Sequence, residues 1–355
     1  MKISPESAAY AKDMRIKEPD MLKGLAVVLM IQVHITELLA TPEFFDSFAG
    51  NISLFLGGVP AAPVFMVMMG FFAARARGTR QGRIYRALKL LVWGLLLNAG
   101  LNLHLLLKIL SGAVSADPVA YLFGVDILYL AGLSLLIAEL VRHLFRENVL
   151  AWFAAALFAA WASTVIPPYS GETSVLNYVT AFCCGKQWWS YFPLFPWLAY
   201  PFAGIAGFFL LKTHALNLSV KSNRCIIAVV TAVMVILAFP FGFRVSAYLP
   251  AYYHHGVGFF LWALSFVVFI TTMASFIPRH WYNFFLLRFF VYTGRKVTSF
   301  YVFQWLIIGN ISTSIYRSQK AEILPLWFLG VTLLSWILVL IWNHRKSLTA
   351  PPEFR

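Results

Sequence analysis

One pattern limits this chain more than any other. Apolar stretches of about twenty residues recur along it, separated by short polar or basic segments. The hydrocarbon core of a bilayer is about 30 Å thick and takes roughly 20 apolar residues per helix. Read with that window, spans are expected near 21–40, 52–74, 88–110, 119–141, 149–167, 190–211, 225–247, 256–277, 298–316 and 323–342. The expected fold is all-α: a polytopic transmembrane bundle of about ten spans. It divides into a cytoplasmic segment 1–20, one membrane domain 21–343 and a cytoplasmic tail 344–355. Composition agrees. Charged residues make up 12% of the chain, about half the share usual for a soluble domain, and too little polar surface remains for a water-soluble globule. The first twenty residues carry no cleavable signal pattern, so the first apolar stretch is expected to stay as a helix.

Orientation follows from Lys and Arg in the short loops. With the N-terminus inside, 23 of the 28 basic residues fall on the cytoplasmic side. Only Lys108, Lys186, Arg244, Arg317 and Lys320 fall outside. Both termini are therefore expected to be cytoplasmic. The same bias accounts for the net charge of +14 without any nucleic-acid partner. Cys183, Cys184 and Cys225 form neither a disulfide framework nor a metal-ligand spacing.

Ionisable side chains inside a span cost about 2.5–3.5 kcal/mol each on insertion scales, so they are functional candidates. His34 lies roughly 20 Å along the first span, and Glu37 follows one turn later on nearly the same face. Asp126 lies roughly 10 Å into the fourth span from the outside. His104 and Arg244 share that outer third. The plain alternative is that these groups are capped, paired or reaching for the interface. His34 and Glu37 are too few ligands for zinc, and no metal is implied.

The loop after the second span holds Arg75, Arg77, Arg80, Arg83, Arg86 and Lys89. Arginine suits planar paired contacts to phosphate, although anchoring against lipid headgroups would select the same residues. Gly57, Gly58, Pro60 and Pro63 interrupt the second span, and Pro193, Pro196 and Pro201 the sixth. Broken helices are tolerated in a membrane where they line protein or water, so a cavity opening outward is expected near both breaks.

Residues Lys23 to His34 resemble the opening signature of the family-three membrane acyltransferases: a cation, ten residues, then histidine. Asp20 fits as well. Val64–Phe72 with Gly70, Arg83-Ile84-Tyr85-Arg86, and Gly294 to Tyr301 are similar to later motifs of that family. Gln304 departs from it, standing where many members have histidine. Phe192-Pro193-Leu194-Phe195-Pro196-Trp197, together with Asp126 to Leu133, resembles the heparan-α-glucosaminide N-acetyltransferase catalytic domain. The resemblance implies acyl transfer, most simply acetyl, from cytoplasmic acyl-coenzyme A to a hydroxyl or amine of an extracytoplasmic glycan or glycolipid. It implies an inner-membrane protein that could form oligomers. His34 would be the base, oriented by Asp126 or Glu37. Lys23 and the Arg75–Arg86 loop would hold the coenzyme phosphates, while Trp197, Arg244 and His104 would line the acceptor cavity. A secondary transporter remains the alternative, since broken helices and buried ionisable groups also mark transporters.

Overall fold

The computed structural model describes residues 17–76, 78–166, 174–213, 218 and 220–349. Among them there is no strand, only an isolated bridge between Ala40 and Gln319. The long helices are α1 (Lys17–Leu39), α2 (Phe48–Gly58), α3 (Ala62–Arg75), α4 (Arg80–Leu101), α5 (Ile127–Phe145), α6 (Val149–Val165) and α7 (Ala199–Lys212). They continue with α8 (Lys221–Leu237), α9 (Phe239–Ala247), α10 (Val257–Ala274), α11 (Phe285–Arg295), α12 (Val297–Ile315) and α13 (Leu324–Thr349). Shorter helices such as Leu103–Leu110 and Pro118–Leu122 connect them.

Each of the ten expected segments contains a helix. Seven segments are long and apolar enough to cross a membrane, with α2 and α3 together making one of them, and α8 with α9 makes an eighth if that pair, bent by 65°, is one span. The other two differ from a standard span for visible reasons. Helix α6 has 17 residues, or about 25 Å. Helix α12 carries Gln304, Asn310 and several hydroxyl side chains along its length. The first helix begins at Lys17 and the last runs to Thr349, so both extend past the expected domain edges.

Local chemistry sets the boundaries. Ser47 and Thr79 cap α2 and α4, their hydroxyls accepting from Gly50 N and Gly82 N, which satisfies donors the first turn leaves open. Proline near the start of α3 fits the first turn, where no N–H is needed. Between α2 and α3 the chain breaks at residues 59–61, where Gly57, Gly58 and Pro60 weaken the helix.

In lipid, apolar side chains gain little from leaving the solvent, so helices associate through close packing and small residues. Two crossings show this. At Gly24, an added Cβ would lie 1.8 Å from Phe290 O; at Gly294, one would lie 1.7 Å from Asp20 O. Helices α1 and α11 therefore touch backbone to backbone. Gly70 and Gly204 do the same for α3 and α7, where an added Cβ would lie 2.0 Å from Pro201 O and 2.0 Å from Val67 O respectively. Trp152, Trp197, Tyr200, Phe259 and Phe260 fill the main core.

Helix α11 does not appear among the expected spans. Its 11 residues are too few to register in a window of twenty. It follows a 3₁₀ turn at Arg279–Asn283 and buries one face, including Val291, Thr293 and Gly294, while Phe285 and Leu286 stay exposed.

Candidate active site

The basic residues of α1, α3 and α4 gather at one end of the bundle. A cavity of about 680 Å³ occupies the opposite end. Helix α1 gives it His34 and Glu37, the end of α2 gives Gly57 and Gly58, and α4 gives Asn98. Asp126 stands at the entrance to α5, Tyr301 and Trp305 come from α12, and Arg317 from the loop beyond it.

The break after α2 positions this wall. A Cβ at Gly57 would meet Val33 Cβ at 2.1 Å, so only glycine lets the end of α2 approach α1 beside His34. A polar clasp holds the same contact. Gln32 Nε2 donates to Ser53 O at 2.8 Å, Ser53 Oγ donates to Gln32 Oε1 at 2.8 Å, and Thr36 Oγ1 bonds Ser53 Oγ at 2.7 Å. The His34 ring lies on Trp305, with centroids 4.0 Å apart, and its Nδ1 is 3.2 Å from Gln304 Oε1.

Asp126 departs from its expected place inside a span. Phe123–Val125 are non-helical and α5 starts at Ile127, so Asp126 is the N-cap residue of α5. Its Oδ1 accepts from Ile127 N at 2.6 Å and from Tyr301 OH at 2.5 Å. Oδ2 is buried and, among the described residues, has no hydrogen-bond partner. The loop before it is stapled: Asn98 Nδ2 donates to Leu122 O and Gly124 O, Val125 N to Trp189 O, and Phe192 N to Val125 O. Tyr252 also lines the cavity with its hydroxyl buried and unpartnered among the described residues.

The structure thus brings His34, Glu37 and Asp126 together and separates three other expected cavity residues from them. Trp197 is fully buried behind the wall. Its ring packs on Tyr252, and its Nε1 donates to Tyr253 O at 2.8 Å. His104 is not a lining residue; its backbone N donates to Asn310 Oδ1 and its Nδ1 lies 3.1 Å from Asn310 O, fastening α12. Arg244 is exposed on α9 and lines no part of the cavity. Depth along a helix was readable for His104 and Arg244, but azimuth was not, and Trp197 was expected here only from the resemblance of its motif.

Sequence reasoning missed Arg317, which it counted only as a loop charge. Arg317 N donates to Leu38 O, Gln319 N to Leu39 O, and Thr41 N to Gln319 O. This short pairing carries Arg317, at φ 49°, back onto the end of α1, where it lines the cavity together with Glu37. No local signal marks such a return.

The basic end also sorts itself. Lys23 pairs with Asp20 at 2.8 Å, and Arg295 approaches the same carboxylate at 3.5 Å. Asp20 is 2% exposed, so this pair of cations serves a buried charge where α1 crosses α11. Arg83 forms a bidentate bridge to Glu139, at 2.6 and 2.8 Å, and its Nη1 donates to Gly78 O. Arg142 joins at 3.1 Å. Arg83 is therefore committed to the α4–α5 contact rather than free for phosphate. Arg75, Arg80 and Arg86 are exposed, and Arg77 lies outside the described residues. Among the described residues no group of His, Cys, Asp and Glu is arranged to hold a metal.

A histidine, two carboxylates and tyrosine hydroxyls thus line one cavity of a helical, multi-pass membrane protein. Residues 15–234 match the catalytic region of heparan-alpha-glucosaminide N-acetyltransferase, well over half of the chain, and the chain belongs to that family of membrane acetyltransferases. The match covers His34, Glu37 and Asp126 and ends before α12. No curated protein and no solved structure matches the chain.

Proposed function

We propose that this protein transfers an acyl group, most simply acetyl, from cytoplasmic acyl-coenzyme A to a hydroxyl or amine of a glycan or glycolipid on the far side of the inner membrane. One observation carries this reading. The exposed cations stand at one end of the bundle, and His34 opens into a cavity at the other. Lys23 and His34 are eleven residues apart on α1, or about 16 Å. A phosphate-rich donor held by Arg75, Arg80 and Arg86 from the basic end, and an acceptor entering the cavity, would meet between them.

His34 takes the proton from the acceptor as its oxygen or nitrogen attacks the thioester carbonyl. The carbon–sulfur bond breaks, and the resulting imidazolium returns the proton to the leaving thiolate. Neutral imidazole suits this role near physiological pH. Asp126, with Oδ2 unspent, and Glu37 supply negative charge around the imidazolium while it exists. Labelled acetyl-coenzyme A supplied to membranes with candidate glycans tests the reaction. Uptake of a small solute with no labelled product would instead favour the transporter.

Sidedness is tested separately. Single cysteines replacing Glu147 and Glu322, in a chain free of native cysteines, are expected to react with an impermeant reagent from the cytoplasmic and outer faces respectively. Labelling of both from one face would refute the proposed topology.

The donor site offers a contrast. Arg75, Arg80 and Arg86 changed together to glutamine should weaken acyl-coenzyme A binding by roughly tenfold for each arginine–phosphate hydrogen bond removed. Arg83→Gln should leave that affinity nearly unchanged but destabilise the protein by about 1–3 kcal/mol, because Glu139 is left without its bidentate partner. Equilibrium binding and thermal unfolding in detergent separate the two effects. Weaker binding from Arg83→Gln alone would return that residue to the donor site.

A further inference from the structure

The residue that fixes how His34 presents itself lies outside the matched family region. Gln304 on α12 is fully buried, with Oε1 3.2 Å from His34 Nδ1. An amide oxygen accepts hydrogen bonds and cannot donate them. The contact therefore requires the hydrogen on Nδ1, which leaves the lone pair on Nε2. The ring has little freedom to escape that orientation, because Trp305, the next residue on α12, lies against it at 4.0 Å. Gln304 Nε2 is buried and has no hydrogen-bond partner among the described residues. That unpartnered amide is an expense which packing alone does not explain.

We infer that Gln304 is a positioning residue that holds the His34 ring with Nε2 as the available base. The inference rests on the acyl-transfer reading and adds to it a tautomer and the residue that selects it. Because Gln304 is neutral, it orients the ring without adding charge. The titratable groups around the cavity are Glu37 on α1 and Asp126 before α5, whose carboxylates would favour the imidazolium, Arg317 beyond α12, whose cation would oppose it, and the neutral hydroxyls of Tyr301, Tyr252 and Tyr253.

Two near-isosteric substitutions test this in the full-length membrane protein. Gln304→Met keeps the side-chain length and removes the acceptor. It should lower kcat for acyl transfer by about 10²-fold, the loss expected when a catalytic group is misoriented, with KM for acyl-coenzyme A unchanged. Gln304→Glu keeps an acceptor and adds charge. It should retain transfer and move the rising limb of the kcat/KM pH profile to higher pH, because a carboxylate beside imidazole favours the imidazolium. A merely structural hydrogen bond would not give this split, in which the Met variant loses kcat and the Glu variant keeps it. Equal losses in the Met and Glu variants would mean that Nε2 of Gln304 donates to the ring, and the assignment would be reversed. Full activity in Gln304→Met would remove Gln304 from the mechanism. These failures differ from failure of the underlying reading, which would appear as a wild-type protein without transfer, or a His34→Ala variant that keeps it.

Discussion

Replacing His34 with alanine is expected to abolish acyl transfer while leaving acyl-coenzyme A bound. Loss of a general base typically costs about 10²–10⁴ in rate, and the proposed donor cations Arg75, Arg80 and Arg86 stand at the opposite end of the bundle from the cavity. The measurement is transfer of labelled acetyl in membranes, beside equilibrium binding of the donor to the purified protein. His34→Asn supplies the control. An amide can replace a hydrogen-bonding imidazole but cannot accept the acceptor's proton at neutral pH. Near wild-type transfer in the Asn variant would make His34 structural and overturn the proposed chemistry.

The second large effect concerns assembly. Gly24→Ala adds one carbon, and that carbon would sit 1.8 Å from a backbone carbonyl oxygen of α11. A side chain could rotate away from such a clash, whereas a backbone oxygen moves only with its helix. The expected loss exceeds about 3 kcal/mol, above the usual range for overpacking. Gly294→Ala should behave alike, since its Cβ would meet Asp20 O. Gly207→Ala is the matched control, because nothing lies within 4 Å of the Cβ it would add. Thermal unfolding in one detergent compares the three. A Gly24→Ala protein as stable as Gly207→Ala would show that α1 and α11 do not cross at this point.

Much of the architecture was readable because its cause is local. Apolar runs marked a helix in every expected segment, and Gly57, Gly58 and Pro60 marked the α2–α3 break. His34 and Glu37 were readable as cavity residues because an ionisable group on an apolar helix needs a reason. What escaped the sequence depends on partners far along the chain. Arg83 looked like a free phosphate ligand because its partner, Glu139, lies 56 residues away. Arg317 looked like an ordinary loop charge because its return to α1 runs through backbone pairing, which leaves no side-chain signature. His104 and Arg244 were placed by depth, which does not say which way a side chain faces, and Trp197 by the resemblance of its motif. Asp126 was set inside a helix because the hydropathy window runs through the short non-helical stretch at residues 123–125.

The pairing of Leu38 and Leu39 with Arg317 and Gln319 affects how the cavity can open. Helix α1 is pinned there at one end and locked to α11 through Gly24 and Gly294 at the other. The stretch of α1 that carries His34 thus lies between two backbone attachments. The opposite wall is built from the connecting segments that carry Tyr121, Trp188 and Tyr252. The wall and the proposed base therefore belong to different parts of the chain. Under the proposed function, substitutions in that wall would alter which acceptors enter more than they alter the setting of His34.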